Sequence, residues 1–143
     1  MRRLAILAVL GFIAPAWALD YLSVAEPAAM YDAPSQKAKP LFAIAAGTPV
    51  EAIVTLDAWV KVRDPRGDLA WIEKRNLSQQ RTVMVKAERA EVRAQADERS
   101  PVVFTAAKDV VLEWIEAGPA GWVHVKHRDG QRGFVKAAQV WGM

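Results

Sequence analysis

Two histidines lie close together near the end of this chain, His124 and His127, within GWVHVKHRDGQRGFV (121–135). Imidazoles at short spacing can bind zinc or exchange protons near neutral pH. On an extended strand, however, residues an odd number of positions apart point to opposite faces, which is wrong for joint ligation of one ion. The chain has no cysteine and no HExxH segment to complete a site. We therefore interpret both histidines as solvent-facing residues of a β-hairpin.

The other residue types that perform catalysis occur without the arrangements that catalysis needs. There is no cysteine for a thiolate nucleophile and no GxSxG segment for a serine nucleophile. The carboxylates of Asp64 and Asp68 flank a turn, and a polar hairpin loop explains them without acid–base chemistry. No glycine-rich phosphate loop precedes a helix. We expect no enzymatic activity, no cofactor and no metal site.

The start of the chain has the three parts of a secretory signal peptide. Met1-Arg2-Arg3 is positively charged, residues 4–14 are almost all apolar, and Ala16-Trp17-Ala18 places small residues before a cleavage site. The apolar run is shorter than the roughly 20 residues that span a bilayer. We predict a signal peptide over 1–18, cleavage after Ala18, a periplasmic or secreted product and no stable membrane anchor after cleavage. The alternative is an N-terminal helix that stays attached as an anchor.

Removal of that segment changes the charge balance. Without Arg2 and Arg3, the 19 basic residues become 17 against 16 acidic ones, a net charge of +1. Such a mixed, nearly neutral surface gives little electrostatic reason to expect nucleic acid as a partner.

The remaining chain repeats itself. PLFAIAAGTPV (40–50) aligns with PVVFTAAKDVV (101–111) at an offset of 61, and the segment 59–77 aligns with 122–140 at an offset of 63. The change of offset predicts one two-residue insertion, within EAGPAGW. We predict two copies, at 19–80 and 81–143.

Each copy has the pattern of short β-strands. EAIVTL, AWVKVR and LAWIEK are matched by VVLEWIE, GWVHVKH and RGFVKA, all rich in β-branched and aromatic residues. Between the last two runs of each copy, 64–68 and 128–131 contain a glycine that favours a tight hairpin turn. Residues 74–77 and 136–140 each predict a single helical turn. The repeat also predicts a strand and a long loop, rather than a helix, for 87–100.

This order of elements resembles the bacterial SH3-like (SH3b-type) domains of exported proteins. The residues that carry the resemblance are Trp59-Val-Lys-Val-Arg, Gly67, Trp71-Ile72 and Asn76-Leu77-Ser78 in the first copy. In the second copy they are Gly121-Trp122-Val-His-Val-Lys, Asp129-Gly130 and Gly133-Phe134-Val135. The resemblance covers nearly all of the chain after residue 18. It implies an all-β fold of two tandem small SH3-like β-barrels, and a role in binding.

Strand parity singles out the aromatic residues that could bind a ligand. If the valines of WVKV and WVHV enter the core, then the tryptophans that precede them lie on the outer face. We predict one ligand-binding groove on each copy: Trp59 and Trp71, joined by Tyr31, form the first, and Trp122 with Phe134 forms the second. Exposed aromatic surface of this kind usually marks a contact site.

The resemblance suggests peptidoglycan, or a peptide of an envelope partner protein, as the ligand. The alternative is a structural or assembly subunit in which the aromatic faces are buried between the two barrels, under the long loops, or against another chain.

Overall fold

The computed structural model describes residues 20–143 of the chain. The predicted signal peptide, 1–18, and its cleavage site after Ala18 lie outside these residues. Within 20–143, no helix has both the length and the apolar character needed to cross a membrane.

The described chain is built almost entirely of strands and turns. The first half contains β1 (Asp20–Val24), β2 (Ala28–Tyr31), β3 (Pro40–Ile44), β4 (Pro49–Thr55), β5 (Trp59–Arg63), β6 (Leu69–Glu73), a 3₁₀ turn (Lys74–Asn76) and β7 (Leu77–Ser78). The second half contains β8 (Thr82–Val85), β9 (Arg89–Arg93), β10 (Val102–Ala107), β11 (Val111–Ala117), β12 (Trp122–Lys126), β13 (Arg132–Lys136), a 3₁₀ turn (Ala137–Gln139) and β14 (Val140–Trp141). The strand after residue 87 and both single helical turns match the sequence-based expectations.

Each half forms one antiparallel sheet of seven strands with the same topology. The order is β3-β2-β6-β5-β4-β1-β7 in the first half and β10-β9-β13-β12-β11-β8-β14 in the second. The all-β class and the two similar tandem units are therefore confirmed. The prediction of closed barrels is wrong, because neither pair of edge strands is hydrogen-bonded in the described sheets. The final strand of each half has only two residues, and it pairs with the first strand alone.

Each half has its own hydrophobic core, as the alternation of the strands requires. In WVKVR, Val60 and Val62 are buried while the intervening side chains are only half-buried, and Val123 and Val125 repeat this pattern. The first core contains Val24, Met30, Ile44, Val50, Val60, Val62, Ala70 and Ile72. The second contains Val83, Val85, Ala90, Val92, Ala106, Leu112, Val123, Val125, Val135 and Val140.

The repeat is real, but its register differs from the expectation. The backbone N–H of Asp32 donates to the carbonyl of Lys39, and that of Ala94 donates to Pro101, so the equivalent residues here are 62 apart. Core pairing agrees, since Ala28 lies opposite Ile44 and Ala90 opposite Ala106.

The predicted two-residue insertion is thus wrong. By backbone pairing, Val24 matches Val85 and Ala28 matches Ala90, so the second half has one extra residue between these positions, and another in the loop before β12. Backbone hydrogen bonds set the register of these edge strands, and neighbouring alanines and valines align almost equally well at either offset.

The two halves contact each other through an arginine between aromatic rings. The Arg81 guanidinium carbon lies 5.5 Å from the ring centroid of Tyr21 and 4.9 Å from that of Trp114. Nη2 of Arg81 also donates to the carbonyl of Gly142 at 3.1 Å. Tyr21 packs edge-on against Trp141, with ring centroids 5.6 Å apart. Burial raises the pKa of Tyr21.

A second contact joins the loops beside that cluster. The hydroxyl of Thr82 donates to the carbonyl of Gly47 at 2.7 Å. A Cβ on Gly142 would lie 2.9 Å from the carbonyl oxygen of Thr82 and 3.0 Å from Pro49 of the first half. Close backbone approach therefore accompanies the side-chain contacts.

Candidate ligand-binding grooves

His124 lies on β12 directly opposite Phe134 of β13. The two rings stack, with centroids 4.6 Å apart and an angle of 10° between planes. Only 21% of the His124 side chain is exposed, and its Nδ1 lies 3.5 Å from a carboxylate oxygen of Glu116. The prediction of a solvent-facing imidazole is therefore wrong for His124, because the ring covers an aromatic neighbour.

His127 begins the hairpin turn and has different neighbours. Its ring lies 5.6 Å from that of Phe104, and its Nδ1 accepts the backbone N–H of Asp129 at 3.3 Å. The carboxylate of Asp129 accepts the backbone N–H of Gln131, and this hydrogen bond lowers the pKa of Asp129. The 28% exposed ring of His127 thus packs on an apolar residue and shapes the turn. Within residues 20–143, no cluster of three or more potential metal ligands occurs.

The structure brings together the three aromatic residues predicted for the first groove. Tyr31 and Trp59 meet edge to face, with ring centroids 5.6 Å apart. Tyr31 on β2 also lies opposite Trp71 on β6. All three side chains are half-buried on the outer face, while Val60 and Ile72 beside them enter the core. We call the hollow beside Trp59 the first groove; Trp59 lines it, whereas Tyr31 and Trp71 are not among its lining residues.

The walls of the first groove include residues that sequence reasoning missed. Pro34 from the long loop and Leu56 from the β4–β5 turn line it beside Trp59, and Lys74 supplies a cation. Leu56 is 45% exposed. Leu56 directly follows β4 and is the last residue of the predicted strand EAIVTL, and nothing local shows that the turn after it faces Trp59.

The second groove has a different chemical character. Trp122 lines it together with Arg93, Glu98 and Lys136. Arg93 occupies the position of Tyr31, because it lies opposite Phe134 as Tyr31 lies opposite Trp71. Phe134 was predicted to share this groove with Trp122, but its ring stacks on His124. Charged side chains surround Trp122 instead.

A polar contact holds the long loop of each half against the strand beside its tryptophan. In the first half, Nε2 of Gln36 donates to Glu73, which lies opposite Trp59. The hydrogen bond from Gln36, reinforced by Arg75, lowers the pKa of Glu73. In the second half, Glu98 forms an ion pair with Lys136. The hydrogen bond and the positive charge of Lys136 lower the pKa of Glu98.

The grooves lie apart from the contact between the halves. Residues of the first half alone line the hollow at Trp59, and residues of the second half alone line the one at Trp122. The contact between halves uses Arg81 and other aromatic side chains instead.

A family model described as bacterial SH3 domain matches the chain twice, at residues 24–79 and 86–142. Among curated proteins, none matches this chain.

Among solved structures, this chain matches NlpC2 from Trichomonas vaginalis, with 10% identity, a TM-score of 0.40, and coverage of 87% of this chain and 48% of that one. NlpC1 from the same organism matches with 11% identity and a TM-score of 0.40, covering 89% of this chain and 47% of that one. An NlpC/P60 family protein from Bacillus cereus matches with 13% identity and a TM-score of 0.39, covering 85% of this chain and 55% of that one. This chain spans about half the length of each of these proteins.

Proposed function

Because the chain belongs to the bacterial SH3 domain family, with one copy in each half, we propose that it is an exported, non-catalytic binding module of the cell envelope. Its two grooves recognise peptidoglycan or a peptide segment of an envelope partner. Bacterial SH3 domains are often binding modules, and the periplasmic or secreted location follows from the predicted signal peptide over 1–18.

The observation that carries this proposal is the half-buried cluster of Tyr31, Trp59 and Trp71 on the outer face of the first half. Aromatic rings with one accessible face stack well on the apolar faces of sugar rings and on extended peptides. The edge-to-face contact fixes the ring of Trp59, so little conformational entropy is lost when a ligand binds.

The second groove suits the charged part of such a ligand. Arg93 and Lys136 can pair with ligand carboxylates, and Glu98 with an amine, around the ring of Trp122. Such a ligand would exchange with the ion pairs that Arg93 and Lys136 form with Glu91 and Glu98. Peptidoglycan stem peptides carry both kinds of group. One ligand could therefore place its sugars or apolar residues on the first groove and its charges on the second.

The alternative is a subunit whose aromatic faces are buried, either between its own two halves or against another chain. Burial between the halves is opposed by the contacts at Arg81, which lie away from both grooves. Burial against another chain is favoured by the exposure of Ile53 and Val54, at 41% and 42%, on the strand that leads to Leu56.

Sedimentation with purified peptidoglycan sacculi tests the proposal. We expect the protein without residues 1–18 to co-sediment, and Trp59→Ala to weaken binding by about tenfold through loss of a central ring. Trp122→Ala should weaken it less, and the remaining binding should still fall as salt rises, because the charges of Arg93, Glu98 and Lys136 are unchanged.

Leu69→Ala is the matched control, because Leu69 is 43% exposed and lies on β6 away from both hollows. Circular dichroism must show that each variant is folded. Absence of sedimentation at every salt concentration would overturn the peptidoglycan version. Concentration-dependent self-association lost in Trp59→Ala would instead establish the assembly version.

A further inference from the structure

A third concave surface lies between the two halves, and we call it the inter-half cleft. From the first half it is lined by residues 41–45 and by the turn at Asp64, Pro65 and Arg66. From the second half it is lined by Met84, Val85, Lys86, Lys108, Asp109 and Trp141. Neither tryptophan of the two grooves belongs to it.

The cleft follows the free edge of a strand. Five consecutive residues, 41–45, line it, although successive side chains of a strand point to opposite faces. The cleft therefore runs along the backbone edge of β3. In the described sheet, β3 is terminal and pairs with β2 alone. Its outer N–H and C=O groups are available to an added strand.

Apolar side chains form the floor of the cleft. Leu41 and Phe42 are 39% and 37% exposed, although Phe42 lies opposite the buried Met30 and so faces the core side of the sheet. Met84 and Trp141, both half-buried, lie across from them. This surface can receive an apolar side chain of a ligand.

In the second half, a histidine packs against the equivalent phenylalanine. Phe104 occupies the position of Phe42, and the ring of His127 lies 5.6 Å away from it. The residue equivalent to His127 in the first half is Asp64, the first residue of the matching turn. Asp64 is turned inward, where its carboxylate accepts the backbone N–H groups of Arg66 and Asp68.

The charges at the rim favour an acidic ligand. Three exposed cations, Arg66, Lys86 and Lys108, line the cleft against two carboxylates, Asp64 and Asp109, so the lining residues carry a net positive charge. The carboxylate of Asp64 is also held by the backbone N–H groups of its own turn, away from a ligand. Lys108 also lies 3.8 Å from a carboxylate oxygen of Glu88, which is 92% exposed and so competes weakly.

We propose that the inter-half cleft binds an extended, acidic segment of a partner protein, which adds a strand to β3. An apolar side chain of the segment contacts Phe42, and flanking carboxylates pair with Lys86, Lys108 and Arg66. A glycan strand offers no row of alternating N–H and C=O groups for the strand edge, so the edge favours a peptide. This site is additional to the two grooves.

An array of short capped peptides tests this proposal on the described chain. Each peptide has a Phe, Leu, Val or Ala centre between flanking pairs of Asp and Glu or of Lys and Arg. We expect acidic peptides with Phe or Leu to bind. Fluorescence anisotropy of Asp-Glu-Val-Phe-Val-Glu-Asp should then show about tenfold weaker binding for Phe42→Ala and for Lys86→Glu with Lys108→Glu. Alternate N-methylation of the peptide should abolish binding, because it removes the donors to β3.

Two matched variants separate this site from general effects. Phe104→Ala makes the same truncation in the second half, and Arg132→Glu makes a charge reversal at an exposed position outside the cleft. Both should bind the peptide like wild type. Binding to sacculi should be unchanged in Phe42→Ala, so failure of either proposal leaves the other intact.

The contrary results are equally definite. The proposal is overturned if no acidic peptide binds, if N-methylated peptide binds equally well, or if amide shifts on peptide addition map to Trp59 and Trp122 instead of β3. Self-association abolished by Phe42→Ala would show that a second copy of this chain occupies the cleft.

Discussion

The two halves have the same hydrogen-bonded framework but carry different side chains where that framework is open to solvent. The first half places Tyr31 beside Trp59, and the second places Arg93 in the equivalent position beside Trp122. The long loop is held by an amide donating to a carboxylate in one half and by an ion pair in the other.

This comparison shows which parts of the fold are interchangeable. Both halves place aliphatic side chains, mostly valines, inward. Both also have a glycine of positive φ in the hairpin turn, at 91° for Gly67 and 97° for Gly130. Outward positions are free of that requirement, so they can diverge toward different ligand chemistry. The proposed binding function would use the first half for an apolar face of the ligand and the second half for a charged group.

The largest effect is expected where the halves differ inside the core. Gly133 occupies the position of Ala70, and a Cβ there would lie 2.5 Å from the carbonyl oxygen of Arg93 and 2.7 Å from Val92. We expect Gly133→Ala to lower the free energy of unfolding by about 3 kcal/mol through overpacking. The reverse change, Ala70→Gly, should cost about 1.5 kcal/mol through lost backbone restriction and methyl burial. Urea denaturation measures both losses of unfolding free energy. Equal losses would contradict overpacking, because they would show that β9 and β13 can move apart to accommodate the added methyl group.

Next in size is the coupling of the halves. Arg81→Ala removes the guanidinium from Tyr21 and Trp114 and its hydrogen bond to Gly142. We expect a loss of about 2 kcal/mol and two resolved unfolding transitions. Arg132→Ala removes an exposed arginine outside this contact and should leave one transition. If Arg81→Ala unfolds like that control, other contacts couple the halves.

Exchanging the turn residues tests the difference between the two phenylalanines. His127→Asp should expose Phe104 and lower the free energy of unfolding by about 1 kcal/mol, because an aromatic contact is lost. Asp64→His should cover Phe42 and weaken binding of acidic peptides to the inter-half cleft. Nuclear Overhauser contacts between the introduced imidazole and Phe42 would verify the covering, and their absence in a folded variant would contradict it.

The smallest effect concerns the two loop contacts. The pKa values of Glu73 and Glu98 are lowered from 4.5, so both contacts are fully formed above that pH and are lost as pH falls through the lowered values. Both loops should loosen in acid, as seen in amide chemical shifts. At neutral pH, high salt should loosen only the loop held by Lys136, because Gln36 is uncharged. Equal salt responses of the two loops would contradict this difference.

Much of the framework could be predicted because its signals are local. Alternation in WVKV and WVHV placed Val60 and Val123 inward, and a glycine in each hairpin loop placed the turns. The groove aromatics were placed on the outer face by the same parity. Their neighbours could not be found in this way, since Leu56 and Glu98 reach Trp59 and Trp122 from loops whose paths depend on distant contacts.

The sequence by itself thus determined an all-β chain of two similar halves, because strand periodicity and turn chemistry act over a few residues. Only the tertiary structure decided that the sheets stay open, that the repeat offset is 62 across the long loop, and that His124 covers Phe134. It also decided that Arg81 lies between rings of both halves. These features depend on contacts between residues far apart in the chain, where close-packing selects one arrangement among many that the local pattern allows equally.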